Sequence, residues 1–366
     1  MKILAITANY PHITNEYSGI FVKNTLQELA KLGNEIVVIT PQKFHKKKMP
    51  YFQEENGLKV YRPTYITYSA KNILGFNTIK LSHKSFEKAV FKTLKNIDFV
   101  PDAIYSHFLF PAGNTASKVG EKLNKKVFCA LGEDNILVYS SSLGNSMISK
   151  TLNNIDILIP NNYQIENILK NQFSIPSNKI KVIYNGVDIK TFYFMNKEFS
   201  RTKLSLPIEE RIVLFVGNFE DRKGPLRVLE ACKMLEKTPK IIFIGSGNQI
   251  LKDENIIFCG KVSHDKLPYY LNACDVFVFP SKSEGMPNAL LEAMACNCNI
   301  VSSNIDVNQF ILREYGSKVI CEPTDITSIS EGIQYFIEKR SNSSNIFKFT
   351  LLNRVKKIEK LIIKGI

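Results

Sequence analysis

An apolar run, an amphipathic stretch that stops at a glycine, and a second apolar run open the chain: 2–7 (KILAIT), 20–33 (IFVKNTLQELAKLG) and 35–40 (EIVVIT). In the middle segment apolar residues fall at 22, 26, 29 and 32, the spacing of one helix face, and Gly33 marks its stop. Short, almost continuously apolar strands joined through a helix specify a parallel β–α–β unit, because only a strand covered on both faces is apolar throughout. The rhythm recurs at 102–108, 125–131 and 156–160. After a polar, non-periodic stretch at about 186–210 it starts afresh, with strands at 211–217, 240–245, 255–260, 275–280 and 299–303 and helices between them. Two such series in 366 residues, too many for one core, predict an α/β protein of two doubly wound domains.

Composition narrows the class. With 44% hydrophobic and 22% charged residues the chain has the balance of a globular protein, and no apolar run nears the ~20 residues of a membrane span. The run at 2–7 lacks a small-residue cleavage site and reads as a first strand, not as a leader. Seven cysteines, none at metal-binding spacing, read as the reduced thiols of a cytoplasmic protein, and neither a metal nor a cofactor is expected. The net charge of +14 is uneven: residues 1–185 hold 23 lysines and arginines against 13 acids, and the rest 25 against 21. A basic first half suggests a polyanionic partner. With 40 lysines and 8 arginines, nucleic acid is not expected, because arginine is the usual base reader. The densest cluster, 43–48 (KFHKKK), is either a solvated loop or a contact with an anionic membrane. The basic amphipathic segment 346–366 reads as a packing helix rather than a membrane anchor.

Ligands of open parallel sheets sit beyond the carboxyl ends of the strands. At 244–250, Gly245 and Gly247 begin a G-x-G-x-x-G, but Ile250 replaces the third glycine, which leaves the dinucleotide fingerprint incomplete. No G-x-x-x-x-G-K-[ST], G-x-S-x-G, H-E-x-x-H or D-x-D occurs. Three strand-end loops of the second half remain. Arg222 and Lys223 precede Pro225, a residue suited to the first helical turn, so they are either loop charges in solvent or partners of an anion such as a diphosphate. Lys261 and Val262 follow a strand, where main-chain groups can read a nucleobase edge. In 279–296 (FPSKSEGMPNALLEAMAC), Gly285 and Pro287 shape a loop, Asn288 is expected to cap the next helix, and Glu284 and Glu292 flank the turn. Carboxylates accept hydrogen bonds from hydroxyl pairs, so Glu284 is expected to grip a sugar and Glu292 a ribose.

The segments VIYNGVDIKTF, LFVGNFEDRKG, IGSGN, CGKVSHDKLPYYLNACDVFVFPSKSEGMPNALLEAMAC and SGIFVKNTLQELAKLGNEIVVIT together resemble glycosyltransferase family 4, over about residues 2–310. The resemblance implies the GT-B fold, two Rossmann-like domains facing a central cleft, with boundaries at 1–187 and 188–345 and a helix at 346–366 crossing back to the first domain. It implies a retaining, metal-independent transfer of a hexosyl or N-acetylhexosaminyl group from a nucleoside-diphosphate sugar to a glycan or lipid-linked acceptor, in bacterial surface-polysaccharide synthesis. The location implied is cytoplasmic, with peripheral contact at the inner face of the membrane. By likeness Glu284 contacts the donor sugar, Glu292 the ribose, Lys223 the diphosphate, Gly19 the donor phosphates and Gly260–Val262 the base, with Gly285, Met286, Pro287 and Asn288 completing the donor loop. The chain departs from the family in places: Asn218 stands where arginine is common, with Arg222 as a candidate substitute, Leu131 replaces a histidine, Asn297 stands where glycine is usual, and the G-G-x-x-E that commonly follows is missing. His107 is then either a catalytic-site contact or a structural histidine. A sugar-nucleotide epimerase and a weakly active or non-catalytic relative are the alternatives.

Overall fold

The computed structural model describes residues 1–13, 18–68, 72–73, 76–133, 136–313, 315–338 and 349–365. The chain divides into two compact units, Met1–Tyr184 with Leu352–Ile366, and Asn185–Leu351. The expected boundary at 345/346 lies outside the described residues.

The first unit is built on a seven-stranded sheet in the order Ile157–Pro160, Val127–Leu131, Ala103–His107, Lys2–Thr7, Glu35–Ile39, Leu58–Tyr61, Phe52–Glu55. All neighbours are parallel except the last pair. Ala103–His107 and Val127–Leu131 are buried along their whole length, which is why Val127–Leu131 reads as an unbroken apolar run. The helix Ile20–Lys31 turns Val22, Leu26 and Leu29 inward, and Gly33 follows it with φ +90°, a backbone conformation that suits glycine. Winding starts at Lys2–Thr7, runs outward through Glu35–Ile39, and resumes on the other side at Ala103–His107. The switch point therefore lies between Lys2–Thr7 and Ala103–His107.

The last helix, Leu351–Gly365, buries Leu351, Val355, Ile358 and Ile362 along one face, so the segment packs rather than anchors. Its Arg354 donates to the Ile183 carbonyl at 3.2 Å, and Glu359 accepts from Asn34 at 2.7 Å. No described helix is long and apolar enough to cross a membrane.

The second unit carries six parallel strands in the order Ile256–Gly260, Lys240–Ile244, Ile212–Val216, Val276–Phe279, Ile300–Ser303, Lys318–Cys321. In chain order this is 3-2-1-4-5-6, the doubly wound arrangement whose switch point falls between the first and fourth strands. The stretch at 186–210, expected as a connector, belongs to this unit and contains the helix Lys197–Lys203. Sequence periodicity misses it because a single charged residue anchors it. Arg201, 2% exposed, bonds Asp275 at 2.8 Å and reaches the carbonyls of Ala273, Pro207 and Glu210. Asp275 also takes Lys197 at 2.8 Å and the Ile212 amide at 2.8 Å. Burial alone would raise its pKa, but these cations and the amide outweigh burial and hold it below the ordinary carboxylate value.

Replacing Asp275 leaves a buried guanidinium without its counter-charge. Asp275→Asn is expected to cost the second unit roughly 3 kcal/mol, read as a lower thermal midpoint. A midpoint matching the wild type at neutral pH would show that the pair adds nothing to stability.

Candidate functional site

The loops that leave Ile212–Val216 and Val276–Phe279, the two strands at the switch of the second unit, carry most of the residues singled out in the sequence. They are stitched together. The Lys282 amide donates to the Arg222 carbonyl at 2.8 Å, Arg222 Nη1 to the Ser283 carbonyl at 2.8 Å, and Arg227 Nη2 to the Pro280 carbonyl at 3.1 Å. Across this seam Lys223 Nζ meets both oxygens of Glu284, at 2.6 and 2.7 Å. Glu284 is buried, its side chain only 4% exposed, and Arg222 Nη1 stands 3.8 Å from the same carboxylate. An ammonium has three N–H donors, of which this pair uses two. Gly224 follows with φ +80°, and Pro225 opens the helix Pro225–Lys233, so Lys223 lies beside the positive end of a helix.

Beyond Glu284, Gly285, Met286 and Pro287 are buried. Asn288 does not cap the following helix: it is the first residue of Asn288–Ala295, with Pro287 at the cap position. Its Oδ1 instead accepts from Asn185 at 3.1 Å, and Asn185 also donates to the Met286 carbonyl at 3.2 Å. The asparagine is thus drawn to a loop 103 residues away in sequence, which local pattern cannot reveal.

Glu292 points to a partner that the sequence reading did not single out. His264 Nε2 lies 3.6 Å from Glu292 Oε1, and the ring packs edge-on to Phe192 at 5.0 Å. Burial works against charge on this imidazole, but Glu292, Asp188 and Asp265 outweigh it and raise its pKa above the ordinary value. The available signal was position: His264 follows Val262 closely in the loop after a strand. In that loop Gly260 accepts from the Gly245 amide at 2.8 Å, Lys261 is exposed and Val262 half-buried. Asn218 is exposed at its strand end. Gly245 and Gly247 serve close packing: a Cβ on Gly245 would fall 1.8 Å from the Gly217 carbonyl oxygen, and one on Gly247 2.2 Å from that of Phe219.

Gly19 and His107 stand at the switch of the first unit. Gly19, φ +69°, precedes the helix Ile20–Lys31, and a Cβ there would strike the Asn9 carbonyl at 2.3 Å, so only glycine fits. His107 is 2% exposed and ringed by Phe21, Phe108 and Tyr105. Burial, with the Arg354 guanidinium nearby, lowers its pKa to about 3, so the imidazole is neutral. This placement, sealed among aromatic rings, favours the structural alternative for His107. A buried carboxyl group that the sequence did not flag stands in the same unit. Glu133, two residues past Val127–Leu131, accepts from the Leu109 amide at 2.5 Å and from the Tyr139 hydroxyl at 3.3 Å, while Oε2 is buried without a partner. Burial raises its pKa to about 7.

Residues 18–191 match Glycosyltransferase Family 4, and residues 196–349 match Glycosyl transferases group 1. The chain belongs to glycosyltransferase family 4. TuaC of Bacillus subtilis, a glycosyltransferase named for teichuronic acid biosynthesis, is 28% identical over 352 residues, 91% of this chain and 88% of that protein. The UDP-Gal:α-D-GlcNAc-diphosphoundecaprenol α-1,3-galactosyltransferase of Escherichia coli is 29% identical over 209 residues, 50% of this chain and 54% of that protein. Among solved structures, HepE of Anabaena in complex with UDP-glucose superposes with a TM-score of 0.72 at 16% identity, over 100% of both chains. The fold is that of the GT-B glycosyltransferases, and the chain is a glycosyltransferase.

The raised pKa of Glu133 has a sign that can be measured. The folded protein holds a proton on Glu133 that the unfolded chain releases above about 4.5, so this group lowers stability as pH rises from there to about 7, and the loss is complete above that. Glu133→Gln removes the titration. Its thermal midpoint relative to wild type is expected to climb between pH 5 and pH 8, and a difference that stays flat with pH would rule out a proton bound at this site.

Proposed function

We propose that this glycosyltransferase moves a hexosyl or N-acetylhexosaminyl group from a nucleoside-diphosphate sugar to a hydroxyl of a glycan or lipid-linked acceptor, with retention at the anomeric carbon and without a metal ion. The Lys223–Glu284 pair at the switch of the second unit carries the reading. In the transfer the bond from the anomeric carbon to the diphosphate oxygen breaks and its electrons stay with the diphosphate. The acceptor oxygen bonds the same face of that carbon, and its proton passes to the departing phosphate oxygen. Negative charge grows on the diphosphate, where Lys223, Arg222 and the positive end of the helix Pro225–Lys233 are placed to meet it. The chain has no D-x-D segment, so this cationic role falls to side chains and main chain. Glu284 holds the sugar hydroxyls, Glu292 the ribose hydroxyls, and Gly260–Val262 the base.

The acceptor side rests on the first unit. The Escherichia coli relative is named for a diphosphoundecaprenol-linked acceptor and TuaC for a surface polymer. Phe44, Tyr51, Phe52, Ile66 and Tyr68 are exposed there, and the Phe44 amide donates to the Tyr65 carbonyl, which sets Phe44 beside Ile66. Lys46, Lys47 and Lys48 border them, and Lys48 lies over the Phe44 ring at 4.7 Å. Aromatic rings rimmed by lysines suit the headgroup region of an anionic bilayer. We read the protein as cytoplasmic and peripheral at the inner face of the membrane, in surface-polysaccharide synthesis.

Glu284→Gln is expected to abolish transfer, and near-normal turnover would overturn its assignment. Lys223→Ala should weaken donor binding and slow transfer by about a hundredfold; calorimetry showing undiminished donor affinity would count against a phosphate contact. Sedimentation with vesicles should rise with their anionic lipid content and fall with salt, and Phe44→Ser should weaken it. Binding indifferent to all three would dismiss the membrane contact.

A further inference from the structure

The first unit holds a polar cavity beside the loop that carries Gly19. It has a volume of about 180 Å³, lies past the carboxyl ends of Lys2–Thr7 and Glu35–Ile39, and is lined by Tyr10, His12, Lys43, Lys46, Arg62 and Tyr65, among others. No aspartate or glutamate contributes to its described lining. Arg62 is 3% exposed. Its Nη2 pairs with Glu55, which Lys23 also binds at 2.8 Å, so two cations share one carboxylate and a positive charge is left over. Arg62 Nη1 and the Tyr10 hydroxyl are both buried without a hydrogen-bond partner. Buried donors are nearly always satisfied, and two unsatisfied ones under the same cavity call for an acceptor that completes them. Burial and Glu55 push the Tyr10 phenol well above its ordinary range, so its hydroxyl stays a donor. Lys43 and Lys46 are exposed at the rim, and neither pairs with a carboxylate among the described residues. Three cations with spare donors and no lining acid match one ligand chemistry, an oxyanion.

We propose that this cavity binds an oxyanion carried by the acceptor, a phosphate of a lipid-linked diphosphate or the carboxylate of an acidic sugar. The proposal rests on the reading that the first unit takes the acceptor. Its position supports a membrane-borne substrate: Lys43 and Tyr65 line the cavity and also form the paired strands Gln42–Lys43 and Thr64–Tyr65, next to Phe44 and Ile66. A diphosphate seated here would leave its lipid beside the exposed aromatic rings.

The test is calorimetric titration of the full chain, without donor, with inorganic diphosphate and with glucuronate. Lys43→Ala/Lys46→Ala, which changes exposed side chains only, should lower the affinity for the preferred anion by about tenfold, ~1.4 kcal/mol. Tyr10→Phe should lower it further, and the rim substitutions should cost the same factor in a Lys223→Ala background. Tighter binding of diphosphate assigns the cavity to the lipid linkage, and tighter binding of glucuronate to an acidic sugar. Loss of binding in Lys223→Ala with none in the rim variant would place the anion at the donor site alone, which overturns this proposal while supporting the donor reading. Binding of neither anion would overturn it as well.

Discussion

A lysine and a glutamate held 61 positions apart in sequence meet at 2.6 Å, and the strand-end loops of the second unit are joined by that contact. It joins the two loops that diverge from the switch in the second sheet, where parallel strands leave main-chain ends uncovered on both sides. The pair is costly to bury, since both groups lose water, and hydrogen bonds between the loops help fix its geometry. A less demanding residue pair would close the seam as well. On the proposed function a diphosphate and a sugar would ask for opposite things, a cation and an acceptor of hydroxyl protons, and this pair offers both within one short reach.

The two units divide the chemistry by charge. The second unit places few but buried ions at one strand end and is nearly balanced elsewhere. In the first unit lysines spread over the surface, with aromatic rings exposed among them, and its buried polar groups stand past the carboxyl ends of the strands. Both arrangements follow from the same sheet rule, that loops past the carboxyl ends carry the ligands. What differs is how far the charges lie from water. Arg62 Nη1 and the Tyr10 hydroxyl are deep and unsatisfied, whereas Lys223 and Glu284 satisfy each other.

Much of this was legible in the chain. Strand positions show as apolar runs because both sheet faces are covered, and Pro225 after Gly224 announces a helix start beside Lys223. Other features were not legible. The helix at 197–203 is short and pinned by Arg201 to Asp275, a contact that no periodicity encodes. The Asn288 side chain serves a distant asparagine instead of its own helix. His107, beside a strand end like any catalytic histidine, is sealed among aromatic rings, while Glu133 and His264 acquire their character from neighbours brought by the fold.

The sequence alone determined the elements whose cause is local: the strands, the glycine stops, the two winding series, and the family motifs around Lys223, Glu284 and Glu292. Tertiary structure decided which charges are buried, which are paired and which are left short of a partner. Burial and pairing depend on residues that are remote in the chain and adjacent in space, and the energy of a charged group is set by that neighbourhood rather than by its position in the sequence.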